Sequence, residues 1–294
     1  MMIKSTYDMS DLFYLGVDTG GTQMRMAAVT CDGKLATPML TVPTGKEFSA
    51  ENFRDQLIQL HTQIKAIIGD HPIAAIGMGF TGLVGETSIL AADFIPLLSK
   101  VNVVEIAQKS LGYPAKIEND ARCFVLAEAR FGAGRGARHV VGITLGTGVG
   151  GGVIVDGKLH RGANGNAGEV WSIPHRGKWM EYFVSGSGLV KNFQESGGTD
   201  DEIDAVKIAE LARSGNEIAV AAFQSYGNDL TDLCETIRAL IDPEIIVIGG
   251  SIANACDIFG DDLIKKTSAR GTRIAWAELG LGAGVIGAAS LNIP

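Results

Sequence analysis

Short apolar runs that stop on glycine alternate along this chain with longer stretches of helical period. Phe13–Val17 is apolar and ends in Asp18-Thr-Gly-Gly-Thr22; Met24–Val29 is apolar again and is followed by Cys31-Asp-Gly33. The pattern reads as strand, glycine turn, strand. Between residues 51 and 68, Phe53, Leu57, Leu60, Ile64 and Ile67 fall on one face of a predicted helix that Pro72 stops. Ile73–Phe80 reads as a buried strand halting at Thr81-Gly-Leu-Val84, and Tyr113–Ile117 leads through Glu118-Asn-Asp120 into a helix over 121–131. Val140–Leu145 is a strand closing on Gly146-Thr-Gly-Val-Gly-Gly-Gly152, and Val153–Val155 opens another that Asp156-Gly157 turns. From 217 to 241, Phe223, Tyr226, Leu230, Leu233, Ile237 and Leu240 recur at three and four, which predicts a helix ended by Pro243. Ile245–Ile248 is a buried strand ending at Gly249-Gly250, and Ala283–Leu291 is small and apolar, a packed helix. Residues 160–200 are glycine-rich and show no clear period.

The order of elements repeats. Asp32-Gly-Lys-Leu35 recurs as Asp156-Gly-Lys-Leu159, each copy ending a strand–glycine turn–strand unit. Each unit leads, after a helical stretch, to a strand closing on small residues, at Ile76-Gly-Met-Gly79 and at Ile248-Gly-Gly250. This predicts two related α/β domains with a cleft between them.

Composition narrows the function. Glycine supplies 39 of 294 residues, well above the usual share of about 7%, which suits tight turns and close backbone approach to a ligand. The net charge of −8 works against a nucleic-acid or anionic-membrane partner. Cys31, Cys123, Cys234 and Cys256 form no C-x-x-C pair and read as buried thiols of a cytoplasmic protein. Met1–Leu12 lacks the apolar core of a secretory leader, and no apolar run reaches the roughly 18 residues of a membrane span.

The two glycine turns are candidate anion cradles, because backbone N–H groups there can face a phosphate without a Cβ in the way. Asp18 puts a carboxylate beside the first, where Mg²⁺ could be held directly or through water. Plain hairpin turns would show the same residues. Gly146, Gly148 and Gly151 satisfy G-x-G-x-x-G, but a strand rather than a helix follows, which argues against a dinucleotide fold. No Gly-Lys pair is followed by Ser or Thr, so there is no P-loop, and neither H-E-x-x-H nor G-x-S-x-G occurs. Asn119-Asp120, at a strand end before a helix, offers an amide and a carboxylate to adjacent hydroxyls, or alternatively a helix cap. Glu169 and Glu181 add carboxylates suited to sugar hydroxyls or to a solvated surface.

Six segments in order resemble the ROK family (repressors, open reading frames, kinases) within the actin/hexokinase/Hsp70 superfamily. They are Asp18-Thr-Gly-Gly-Thr22, Gly79-Phe-Thr-Gly-Leu-Val84, Ile117-Glu-Asn-Asp-Ala121, Gly146–Gly152, Gly165-Asn-Ala-Gly-Glu169 and Ile246-Val-Ile-Gly-Gly250. The resemblance implies a duplicated, ribonuclease-H-like two-domain fold with a central cleft. One domain would be 13–119 completed by a C-terminal helix at 283–294, the other 120–282. It implies an ATP-dependent sugar kinase acting on a hexose or hexose derivative, at the 6-hydroxyl, with Asp120 as general base. Gly82, Asn119, Asp120, Glu169 and Glu181 would bind the sugar. Asp18, Gly20, Gly21 and Thr22, with Gly146, Thr147 and Gly148, would hold the ATP phosphates and Mg²⁺, and Gly249 and Gly250 would lie near the adenosine. A homodimer is expected.

Two departures stand out. Many members read Gly-Glu-x-Gly-His followed by three clustered cysteines that complete a zinc site; this chain has Gly168-Glu-Val-Trp-Ser172 and no cysteine between Cys123 and Cys234. No structural zinc is expected. The family histidine also contacts sugar, so Ser172 or His175 would stand in its place. The rival readings are a non-catalytic sugar or nucleotide sensor of the same fold, a repressor, for which the dozen residues before the first strand leave no DNA-binding domain, and a sugar-independent ATPase.

Overall fold

The computed structural model describes residues 11–200, 202–268 and 270–294. Most of the Met1–Leu12 segment, read above as carrying no leader, lies outside them. The chain divides into two compact units, one ending at Phe131 and taking in Leu281–Pro294, the other Gly132–Gly280.

The first unit runs β1 (Phe13–Thr19), β2 (Gln23–Thr30), β3 (Leu40–Pro43), α1 (Ala50–Ile68), β4 (Ile73–Phe80), a short hairpin β5 (Leu83–Val84) and β6 (Ile89–Ala91), α2 (Val103–Leu111), β7 (Ala115–Asn119) and α3 (Asp120–Phe131). Its sheet has the order β3-β2-β1-β4-β7. β1 pairs antiparallel with β2 but parallel with β4, and β4 pairs parallel with β7. Consequently β1, β4 and β7 all end at the same edge.

Amphipathic α1 covers one face of this sheet. Ser49 caps it in a reciprocal box with Asn52, and Phe53, Leu57, Leu60, Ile64 and Ile68 are buried. Ile67, expected on that face, is 52% exposed. Counting four from Ile64 rather than three selects the core position at the helix end. The last helix of the chain, from Ala283 to Ser290, also belongs to this unit and lies close against β1 and β4. A Cβ at Gly77 would overlap the Ala288 carbonyl, and one at Gly16 would overlap that of Val285. These two glycines therefore serve helix-on-sheet contact rather than ligand approach.

The second unit runs β8 (Val140–Leu145), β9 (Val149–Val155), β10 (Lys158–His160), a hairpin β11 (Pro174–His175) and β12 (Lys178–Trp179), α4 (Glu181–Val184), α5 (Gly186–Glu195), α6 (Ala205–Arg213), α7 (Glu217–Ile241), β13 (Ile245–Gly249), α8 (Cys256–Ser268) and β14 (Arg273–Trp276); Ala283–Ser290 is α9. Its sheet order, β10-β9-β8-β13-β14, repeats that of the first. This duplicated topology is the ribonuclease-H-like architecture of the actin/hexokinase type. Phe223, Tyr226, Leu230 and Leu233 of α7 are buried in its core, while Leu240, expected there, is 76% exposed in the last turn.

Three differences from the sequence reading stand out. Gly150, Gly151 and Gly152 are not loop but lie in β9, opposite Thr144, Ile143 and Gly142. A Cβ at Gly151 would stand 2.5 Å from the Gly168 carbonyl, so tertiary crowding, not strand propensity, selects glycine there. The units divide after Phe131, not at the expected 119/120, because α3 packs against α9. Cys123 and Cys234 are buried, whereas Cys31 and Cys256 are half-buried. Among the described residues no helix is long and apolar enough to cross a membrane.

Candidate active site

In the first unit three strand ends converge on one sheet edge. Asp18 and Thr19 end β1, and the β1–β2 turn follows, with Gly20 N donating to Gln23 O at 2.9 Å. Thr44 braces this turn from β3, its hydroxyl donating to Gly20 O at 2.7 Å and its amide to Thr22 O at 3.0 Å. Gly21 packs on Phe94, where a side chain would collide. Asp18 lies 3.5 Å from Arg25. Burial raises its pKa above the ordinary carboxylate value, against the opposing pull of Arg25. β4 ends at Phe80 and is followed by Thr81-Gly82; Gly82 has φ +96° and packs against the Ala91 carbonyl.

β7 delivers Asn119 and α3 begins at Asp120. Asn119 Oδ1 accepts the Arg122 amide at 3.2 Å, which is an N-cap, while its Nδ2 donates to Gly82 O at 3.1 Å. Both the capping reading and the placement beside Gly82 are thus realised. Asp120 Oδ1 accepts the Ala121 amide at 2.8 Å, inside the first turn of α3, where the helix dipole favours a carboxylate. Next to this pair, Glu118 and Arg122 form an ion pair at 3.3 Å with both side chains 3% exposed. The sequence reading did not single them out. Their i, i+4 spacing across Asn119-Asp120 was the available signal.

In the second unit, β8 and β13 run parallel and also end together. The β8–β9 turn is Gly146-Thr147-Gly148, closed by Gly146 N donating to Gly148 O at 3.0 Å, with Thr147 and Gly148 exposed. Gly249 ends β13, and Gly250, at φ +91°, lies against Leu145 so closely that any Cβ would overlap the Leu145 carbonyl. The second glycine turn and Gly249-Gly250 are thereby brought together.

Glu169 precedes a short 3₁₀ turn. Its Oε2 accepts the Trp171 indole N–H at 2.6 Å, and its carbonyl accepts the Ser172 hydroxyl at 2.8 Å. Trp171 meets Trp179 edge to face at 6.5 Å. Glu181 begins α4, and its Oε2 accepts the Val149 amide at 2.9 Å.

His175, a possible stand-in for a sugar-contacting histidine, is already engaged. Its Nε2 is 3.1 Å from Asp229 Oδ1 and accepts Arg176 Nε at 2.9 Å, and its ring meets Phe183 edge-on. Burial and the Arg176 charge push its pKa down, against the opposing influence of Asp232. Arg176 also pairs with Asp229. The ligand atoms of His175, Asp229 and Asp232 lie within 4.8 Å of one another. The guanidinium of Arg176 already supplies a cation to that set.

Two five-stranded sheets of the same strand order, one in each unit, each ending its parallel strands in glycine turns and polar residues, define a protein of the actin/hexokinase superfamily. The sequence model of the ROK family matches residues 14–293, and the chain belongs to that family. It is 30% identical to the N-acetylgalactosamine kinase AgaK of Shewanella sp. (strain ANA-3), covering 95% of this chain and 96% of that one. It is likewise 30% identical to a glucokinase of Streptomyces coelicolor, over 94% of this chain and 96% of its relative. The crystal structure of a ROK family glucokinase from Streptomyces griseus in complex with glucose and AMPPNP aligns with a TM-score of 0.77 at 27% identity, covering 95% of this chain and 98% of that one.

Proposed function

We propose that this chain is an ATP-dependent sugar kinase, moving the γ-phosphoryl group of ATP to a hydroxyl, the 6-hydroxyl, of a hexose or hexose derivative. One observation carries the reading. β1, β4 and β7 end side by side, so the Asp18–Thr22 turn, Gly82 and the Asn119-Asp120 pair share one sheet edge. An anion cradle, a carbonyl acceptor, an amide and a carboxylate gathered at the carboxyl ends of parallel strands form the usual ligand edge of an α/β sheet. Kinase activity in relatives aligned over nearly their whole length supports the same reading.

In this scheme Asn119, Asp120, Gly82, Glu169 and Glu181 bind the sugar, and Asp120 accepts the proton of the attacking hydroxyl. A positioned base contributes roughly 10²–10⁴-fold. Amides of turns 18–22 and 146–148 hold the ATP phosphates, with Gly249 and Gly250 beside the adenosine. Asp18 would hold Mg²⁺: a carboxylate at a strand end, next to turn amides and paired only at 3.5 Å with Arg25, fits a hard cation. Mg²⁺, when bound, neutralises phosphate charge. Ser172 replaces the family histidine and no zinc is assigned a role. The protein would act as a homodimer, which light scattering would test.

The test is an ADP-release assay with Mg·ATP against a panel of hexoses and N-acetylhexosamines, run beside Asp120→Asn. Sugar-dependent release that the variant loses is the expected result. Release independent of any sugar would point instead to an ATPase, and near-normal turnover by Asp120→Asn would remove the base assignment.

A further inference from the structure

Glu181 is joined to the second glycine turn twice over. Its half-buried carboxylate accepts the amide of Val149, the residue that ends the turn and opens β9, at 2.9 Å. A Cβ on Gly148 would stand 2.9 Å from the same oxygen, so the charge lies directly beside the turn. A second hydrogen bond ties the two segments together, from Gly186 N to Gly146 O at 2.8 Å. The segment that carries Glu181 is itself firmly held. The buried Tyr226 hydroxyl of α7 donates to Val184 O at 2.9 Å, and Ser185 caps α5. Neither tie is needed to form the β8–β9 hairpin, whose ladder is complete from Leu145↔Val149 onward. Why a negative charge sits on a turn suited to anions is therefore a question of function.

We propose that Glu181 couples sugar binding to nucleotide binding: its charge, held on the Val149 amide, opposes phosphate at turn 146–148 until a sugar hydroxyl donates to it. The inference rests on the kinase reading for its ligands, and it gives Glu181 a role on the phosphate side as well. A carboxylate within hydrogen-bond reach of the turn makes the local potential more negative where phosphate oxygens would approach. A hydroxyl donating to that carboxylate draws off part of the charge and relieves the repulsion. Binding linkage makes the effect reciprocal, so sugar tightens nucleotide by the factor by which nucleotide tightens sugar. ATP bound without an acceptor would be disfavoured, which limits hydrolysis by water.

Glu181→Gln separates charge from support, because the amide oxygen still accepts the Val149 N–H. Calorimetric titration of the 294-residue chain with Mg·ADP alone should show Glu181→Gln binding roughly fivefold tighter than wild type or more. Adding D-glucose or N-acetyl-D-mannosamine should tighten Mg·ADP binding in the wild type and leave it nearly unchanged in Glu181→Gln. Glu181→Ala, which loses the hydrogen bond as well, should bind Mg·ADP more weakly than Glu181→Gln. A mere strut would give equal affinity for wild type and Glu181→Gln, and that equality overturns the proposal. If Glu181→Gln does not fold, the wild-type arm decides: no effect of either sugar on Mg·ADP affinity overturns it too. Sugar-dependent turnover with no change in Glu181→Gln affinity removes only the coupling role, whereas no turnover with any sugar removes the kinase reading itself.

Discussion

Asn119 shows how one side chain can serve the fold and the site together. Its Oδ1 accepts the Arg122 amide at the start of α3 and its Nδ2 donates to the Gly82 carbonyl. Replacing it with alanine should lower stability by about 1 kcal/mol and raise the KM for sugar; urea unfolding and steady-state kinetics read the two effects. Asp18 carries the opposite balance. Its folded-state pKa is raised, so between the ordinary carboxylate value and that raised value the folded chain holds more protons than the unfolded one. Stability therefore falls as pH rises through this window, and the penalty stays at neutral pH. Asp18→Asn should melt higher than wild type at pH 7, with the gap closing as pH falls toward the ordinary carboxylate range, while turnover drops steeply. A variant that melts lower at pH 7 would contradict the burial argument. The identity of these residues was readable in the sequence. Arg25 follows from the hairpin and the Arg122 amide from the capping alternative, whereas Gly82 was not legible, because it reaches Asn119 only through pairing of the distant strands β4 and β7.

At the scale of elements, small residues decide where helices can lie. Gly77→Ala on β4 would drive a methyl into the Ala288 carbonyl of α9. It should cost about 1–3 kcal/mol, seen as a shifted denaturant midpoint with an unchanged slope. The β11–β12 hairpin is held to α7 through His175, Arg176 and Asp229. Because the His175 pKa is lowered, its neutral form favours the fold. The stability it contributes is present above the ordinary histidine value and is lost as pH falls through the lowered one. His175→Gln should flatten that acid limb in a melting-temperature profile. The long helices α1 and α7 were legible from their period. The region 160–200 was not, since β11, β12 and α4 are too short to show one, and their places are set by contacts with Tyr226 and Asp229 on α7.

For the molecule as a whole, the chain's end belongs with its beginning. α9 lies in the first unit, where Arg130 donates to the carbonyls of Ser290 and Ile293, and Lys116 to that of Leu291. Deleting Leu281–Pro294 would uncover β1 and β4, and the truncated chain should lose its cooperative thermal transition by circular dichroism. The sequence by itself determined the two strand–turn–strand hairpins, their repetition, the two long helices and the chemistry-bearing residues. Each of these depends on local conformational preference and on residue type. Only the tertiary structure decided that α3 joins α9 in the first unit, that Gly150–Gly152 form a strand, and that Glu181 rests on the Gly146–Gly148 turn. Those outcomes depend on which remote surfaces exclude water together and which buried polar atoms then need partners, and no local pattern carries that information.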